Sequence, residues 1–212
     1  VRPAALFSNQ SGIGILGSAL PKKVDLCALF ANERPVALDV GSGKGLFLRR
    51  EAARHPGTNF LGVEWSAKYF RIAVTCLVEL ELRNVRVVLA DAREFVQRLD
   101  DATLDSVHIY FPDPWWKRRH HKRRLYTPEF FGQVARRLRA NGRLYLATDV
   151  LECFEAMSAH LGGNASFQRL SDVPSGGPSD ESDYRTHFER KYRREGRPIY
   201  QACFARTAVA CQ

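Results

Sequence analysis

The sequence predicts an α/β fold: a single, doubly wound, mostly parallel sheet with helices on both faces. Two observations carry this expectation. Short apolar runs rich in β-branched residues alternate with stretches of helical period from residue 36 onward, and that alternation is the signature of parallel strands joined by crossover helices. Acids or glycines stand immediately after five of the strand signals, and in such sheets ligands bind beyond the carboxyl ends of the strands.

Residues 1–21 are rich in Gly, Ser and Pro without a clear period, so they read as a flexible arm with little structure of its own. Residues 22–212 read as one domain, since no internal repeat or linker divides them. A short helix is expected within 24–30. The first strand, 36–40, runs into Gly41-Ser42-Gly43-Lys44-Gly45 and then an apolar helix start at Leu46. The second, 60–64, ends in Glu64 before Ser66, an N-cap residue, and the following helix puts Phe70, Ala73, Val74, Leu77 and Val78 on one face. The third, 85–89, precedes Asp91, and the fourth, 105–111, runs into Pro112-Asp113-Pro114. Thr127-Pro128-Glu129 has the cap, first-turn proline and early acid of a helix. Its buried stripe is Phe130, Phe131, Val134 and Leu138, with a stop expected at Asn141-Gly142. A fifth strand, 144–147, ends at Thr148-Asp149, a helix covers 151–160, a polar loop spans 171–183, and a last strand covers 199–206.

The chain has 212 residues, 45% of them hydrophobic, enough for one sizeable core. Its 32 basic and 23 acidic residues leave a net charge of +9, which favours a polyanionic partner. Five scattered cysteines show neither Cys-x-x-Cys pairing nor zinc-ligand spacing, so they read as reduced thiols of a cytoplasmic protein without a metal site. No run approaches the roughly 20 apolar residues of a membrane helix.

The most informative stretch is FPDPWWKRRHHKRR at the end of the fourth strand. Two prolines forbid continued sheet pairing and hold Asp113 in a stiff extended turn. Trp115 and Trp116 follow, and then six Lys or Arg among residues 117–124, with His120 and His121 between them. Unpaired charges at this density resist burial. A basic run alone is commonly a solvated face or a nonspecific polyanion patch. Beside a strand-end acid and two indoles, it suits a nucleobase with its phosphates, contacted by Lys117, Arg118, Arg119, His120, Lys122, Arg123 and Arg124. His108, within the fourth strand, reads as a satisfied core histidine.

The glycine loop lacks the Ser or Thr that a P-loop carries after Gly43-Lys44, because Gly45 stands there, and Leu46 occupies the third-glycine position of the dinucleotide fingerprint. Gly41, Gly43 and Gly45 let the backbone approach a ligand closely. Glu64 is placed to accept both hydroxyls of a ribose, and Asp91 to accept from an adenine amine. Singly, each acid reads as a solvated loop carboxylate; together with the loop they form an S-adenosylmethionine pocket.

Six motifs in order then carry a resemblance: the glycine motif, GVE at 62–64, ADA at 90–92, FPDPWWKRRHHKRR, ATD at 147–149 and T-x-F-E at 186–189. Over about residues 36–206 the chain resembles the bacterial tRNA (guanine-N7)-methyltransferase family. The resemblance implies the Rossmann-like class I methyltransferase fold. It also implies methyl transfer from S-adenosylmethionine to guanine N7 in the variable loop of tRNA, with S-adenosylhomocysteine as by-product. Asp39, the glycines, Glu64, Asp91 and Ala92 match cofactor positions, and Asp113 the catalytic acid. Lys117, Asp149, Thr186, Phe188 and Glu189 match tRNA-binding positions. Asp39 stands where the family usually carries Glu, one methylene longer. The resemblance implies a tRNA partner and a monomer or homodimer. The competing readings are an adenine amino-methyltransferase, which Pro112-Asp113-Pro114 faintly suggests, and an RNA-binding protein of the same fold without activity.

Overall fold

The structure, a computed structural model, describes residues 12–114, 125–171 and 184–207. The chain forms two compact units, Val1–Leu104 and Asp105–Gln212. In the first, strands β1 (Gly14–Leu16), β2 (Val36–Val40), β3 (Asn59–Glu64) and β4 (Val85–Leu89) pair in the order β1-β4-β3-β2, all parallel. Helices α1 (Leu26–Phe30), α2 (Leu46–Arg54) and α3 (Ala67–Val78) connect them, and α4 (Ala92–Gln97) follows β4. Every residue of β2 and β3 is buried, as expected of strands covered on both faces, where hydrophobic runs replace alternation. Ser66 caps α3 as expected, and Phe70, Ala73, Val74 and Leu77 are buried on its inner face. Val78, assigned to that face, is instead 36% exposed, because it is the last helical residue before the chain turns away.

The second unit contains most of β5 (Leu104–Tyr110), then α5 (Pro128–Arg137), β6 (Leu138–Thr148), α6 (Leu151–Gly162), β7 (Phe167–Leu170), α7 (His187–Arg194) and β8 (Tyr200–Arg206). Here β6 and β7 both pair antiparallel with β8, and β5 neighbours β6. Thr127 caps α5 through its side chain to Phe130 N, with Pro128 in the first turn. Phe130, Phe131, Val134 and Leu138 are all buried, and burying each such side chain contributes about 1.5–3 kcal/mol.

Four further differences from the sequence reading have physical causes. Residues 14–16, expected to be unstructured, form β1, an edge strand held by backbone pairing to β4. Position 14 favours glycine, since a Cβ on Gly14 would lie 2.7 Å from Val74 Cγ2. The Arg98 guanidinium also donates to the carbonyls of Gly17, Leu20 and Pro21 at 2.9, 2.8 and 2.7 Å, tying the next residues down. Helix α5 ends at Arg137 rather than at Asn141, and β6 starts at once, with Leu138 already extended and its carbonyl bonded by Arg206. Helix α4 and strand β7, too short for a clear period, were not anticipated. Residues 115–124, the block of tryptophans and basic residues, lie outside the described residues, as do residues 1–11 and 172–183 of the expected loops.

Candidate functional site

In the first unit the predicted cofactor residues gather at the carboxyl ends of the parallel strands. Beyond β2 the chain turns through Gly41, Gly43 and Gly45 at φ of 76°, 55° and 74°, the left-handed region that glycine reaches without strain. The loop is anchored from behind, because Gly41 N and Ser42 N donate to Val63 O at 2.8 and 3.2 Å. A Cβ on Gly41 would meet nothing within 4 Å. The backbone conformation therefore calls for glycine there, and the space in front of the loop stays open to a ligand.

Glu64 is 4% exposed and its carboxylate spans two backbone donors, with Oε2 accepting from Gly43 N at 2.8 Å and Oε1 from Ser66 N at 2.7 Å. The acid expected to meet a ribose diol thus also shapes the glycine loop. Asp39, also 4% exposed, has its pKa pushed up to about 8, first by burial and then by the charge of Glu64. Asp91, expected as an acceptor for an adenine amine, also accepts from within the protein. It caps α4 through Arg93 N at 2.9 Å and forms an ion pair with the Arg93 guanidinium at 2.6 Å. The Arg93 side-chain bonds hold its pKa below the ordinary carboxylate value, although partial burial works the other way. Ala92 is the first residue of α4.

In the second unit the strand-end acid is where the sequence placed it. Phe111, after β5, takes φ 50° and donates its N–H to Ala147 O at 2.7 Å. A bulky residue in the left-handed region is strained, and the conformation redirects the chain into Pro112-Asp113-Pro114. Asp113 is exposed, and loss of water around it raises its pKa above the ordinary carboxylate value. The buried Tyr126 hydroxyl donates to Pro114 O at 3.1 Å, so the residues flanking the basic block are pinned to each other. The tRNA-binding assignments to Lys117, Arg118, Arg119, His120, Lys122, Arg123 and Arg124 lie outside the described residues.

The T-x-F-E segment opens α7. Thr186 is its N-cap, accepting from Glu189 N at 3.0 Å. Glu189, assigned to substrate, is buried and already accepts from Arg185 and Arg193 at 3.0–3.2 Å. Burial works to raise its pKa, but the bonds from Arg185 and Arg193 hold it below the ordinary value. Phe188 is 50% exposed. Its ring stacks on Tyr192 at 5.9 Å and approaches Phe111 at 6.3 Å. Asp149 pairs with Arg197, whose guanidinium lies 4.5 Å over the Tyr192 ring. Arg185, Arg193, Tyr192 and Arg197 were missed by sequence reasoning. The signal was present as the i, i+4 spacing of arginines on either side of Glu189. His108 is the core histidine expected: Ser106 Oγ and Tyr110 OH each lie 2.9 Å from its ring nitrogens, and Tyr145 stacks on it at 4.8 Å. Burial first, and then Arg185, lowers its pKa to about 3, so it is neutral at physiological pH.

Among the described residues no helix is long and apolar enough to cross a membrane, and no cluster of three or more His, Cys, Asp or Glu could hold a metal ion. The family described as "Putative methyltransferase" matches residues 33–202. A tRNA (guanine-N(7)-)-methyltransferase of Rhodopirellula baltica is 38% identical, covering 87% of this chain and 71% of its own length. One of Neisseria meningitidis serogroup C is 37% identical, covering 95% and 84%. The solved structure of the 16S rRNA methyltransferase KamB superposes with a TM-score of 0.63 at 17% identity, covering 91% of this chain and 98% of that one. That likeness shows the Rossmann-like fold of class I methyltransferases, as the resemblance implied. On the strength of its relatives, the chain belongs to the tRNA (guanine-N(7)-)-methyltransferase family.

Proposed function

We propose that this protein transfers the methyl group of S-adenosylmethionine to N7 of a guanosine in tRNA, with its residues divided as follows. The observation that carries the reading is the buried Glu64 carboxylate, held by Gly43 and Ser66 at the end of β3. A fixed charge beyond the carboxyl end of a parallel strand suits a ribose diol, and the relatives supply the tRNA and the atom methylated. The open space before Gly41 and the Glu64 carboxylate beside it fit the cofactor, so Asp39, Gly41, Gly43, Gly45, Glu64 and the start of α4 at Asp91 and Ala92 are assigned to it. When bound, S-adenosylmethionine supplies a methyl on a sulfonium, which N7 takes with its in-plane lone pair while S-adenosylhomocysteine leaves.

N7 carries no proton, so the chain needs no general base. Its work is positioning and the stabilisation of positive charge arriving on the purine. Asp113 is assigned that second task, accepting also from the guanine N1 and N2 hydrogens and so choosing guanine over adenine. Its exposure on a proline-stiffened turn supports this role. Phe188 and Asp149, with Thr186 holding the start of α7, are assigned to the tRNA. Lys117, Arg118, Arg119, His120, Lys122, Arg123 and Arg124 are assigned to its phosphates. Glu189 acts through Arg185 and Arg193 as a positioning residue. We place the reaction in the cytoplasm, in keeping with the free Cys27, Cys76, Cys153 and Cys203.

The test is methyl transfer from labelled S-adenosylmethionine to unmodified tRNA, followed by digestion to nucleosides. The expected product is 7-methylguanosine. N6-methyladenosine as the product, or cofactor binding without any transfer to tRNA, would overturn the reading.

A further inference from the structure

The amino ends of the first unit's strands carry a feature that the cofactor residues do not use. A cavity of about 690 Å³ opens there, lined by Arg34, Arg83 and Arg86, with Glu81 beside them and Phe30 and Val78 among its apolar residues. Strands β4, β3 and β2 are parallel, so their amino ends share one edge, while the glycine loop and Glu64 follow their carboxyl ends. A five-residue strand is roughly 17 Å long, which sets this cavity well apart from the cofactor residues.

Its arginines are not consumed by acids. The Arg86 guanidinium lies 5.3 Å from the Phe30 ring centre, and Nη1 donates to the carbonyls of Arg83 and Val85 at 3.0 and 2.8 Å. Arg34 Nη1 donates to Pro56 O at 3.0 Å. Among the described residues none of the three is ion-paired with a carboxylate, and Glu81 is paired with none of them. Partial burial lowers the pKa of Arg86, so the chain retains a partly desolvated cation there with only backbone carbonyls and a ring face to compensate it. Cations held this way favour an anion, and the planar guanidinium fork matches phosphate oxygens. Against three guanidinium groups, Glu81 leaves the balance positive.

We propose that this arginine-lined cavity is a second tRNA contact, holding one backbone phosphate of the substrate at the strand edge opposite the glycine loop. The inference rests on the tRNA reading above. A polynucleotide offers a phosphate at every residue, so the contact requires no particular sequence and adds grip and orientation rather than base selection.

The experiment compares tRNA binding across a salt series for the wild type and for the double variant Arg34→Gln with Arg83→Gln. Both residues are exposed, and Arg86, which ties down the backbone, is left in place. Losing one phosphate contact should lower the log-log salt slope by roughly 0.7–0.9. The S-adenosylhomocysteine affinity and the melting temperature should not change. Arg34→Lys with Arg83→Lys keeps the charge and should restore the wild-type slope. A double Gln variant with the wild-type slope overturns the proposal. So does a melting temperature raised by inorganic phosphate at constant ionic strength in the wild type but not in the Gln variant, if the tRNA slope is unchanged, because the cavity then takes a free anion. Wild-type methylation of the same tRNA, run in parallel, separates the two levels: a wild type that neither binds nor methylates tRNA fails the functional reading, whereas an active wild type with an indifferent variant fails only this site.

Discussion

The carboxylate of Glu64 accepts the backbone N–H of Gly43 at 2.8 Å across 21 residues of sequence, so the acid assigned to the ribose also holds the loop assigned to the rest of the cofactor.

Replacing Glu64 by Ala should weaken the cofactor through both roles. A charge-assisted hydrogen bond is worth about 1.5–3 kcal/mol, which corresponds to roughly a tenfold or greater loss in cofactor affinity by calorimetry. The tRNA affinity should change little. A cofactor dissociation constant within about twofold of wild type would remove Glu64 from the site.

Asp113→Asn keeps the shape and removes the charge. Loss of one electrostatic stabiliser of this kind costs a factor of about a hundred or more in rate, and single-turnover methyl transfer should show it while tRNA binding survives. In the wild type the rate should be nearly flat across neutral pH, since no proton is removed from N7. It should fall on the acid side at a pKa above the ordinary carboxylate value, because loss of water raises that of Asp113. A rate that climbs tenfold per pH unit through neutrality would show a base at work and contradict this mechanism.

Glu189→Ala tests whether that acid positions or touches the tRNA. The side chain of Glu189 is 1% exposed, between Arg185 and Arg193, and breaking a buried pair typically costs about 3–5 kcal/mol. Chemical denaturation should show a loss of that order, with weaker tRNA binding and an unchanged salt slope. Unchanged stability with lost tRNA affinity would instead make Glu189 a direct contact.

Two buried groups should give the cofactor-free protein opposite pH dependences. Asp39 is held protonated, with a pKa of about 8 against an ordinary value of 3.8. The folded state therefore binds more protons between those values, and the stability this confers is lost as pH rises toward 8. His108 is held neutral, with a pKa of about 3 against 6.5, so its contribution is present above 6.5 and is lost as pH falls toward 3. Unfolding free energies measured across pH should lose the first slope in Asp39→Asn and the second in His108→Gln. An Asp39→Asn profile that parallels the wild type would show that Asp39 is ionised in the fold.

What the sequence determined by itself is local in its physics. Val36 to Val40 form a strand because five consecutive apolar or tolerated residues can be covered on both faces. Thr127-Pro128 starts a helix because cap and proline act within a few residues. Pro112 and Pro114 end a strand wherever the chain goes next. The order of those signals, with acids and glycines at the strand ends, was enough for the fold class and for the positions of Asp39, Glu64 and Asp113. Tertiary structure decided whatever depended on partners distant in sequence. The glycine-containing segment at 14–16 became a strand because β4 offered it backbone bonds. Strand β6 began early because Leu138 is bonded by Arg206, 68 residues away. Glu189 is buried because the helical turn closed two arginines over it. The cavity of Arg34, Arg83 and Arg86 exists because parallel pairing brings the starts of separate strands to one edge. No local pattern encodes such a juxtaposition, since the residues involved are brought together by the pairing of strands rather than by their spacing in the chain.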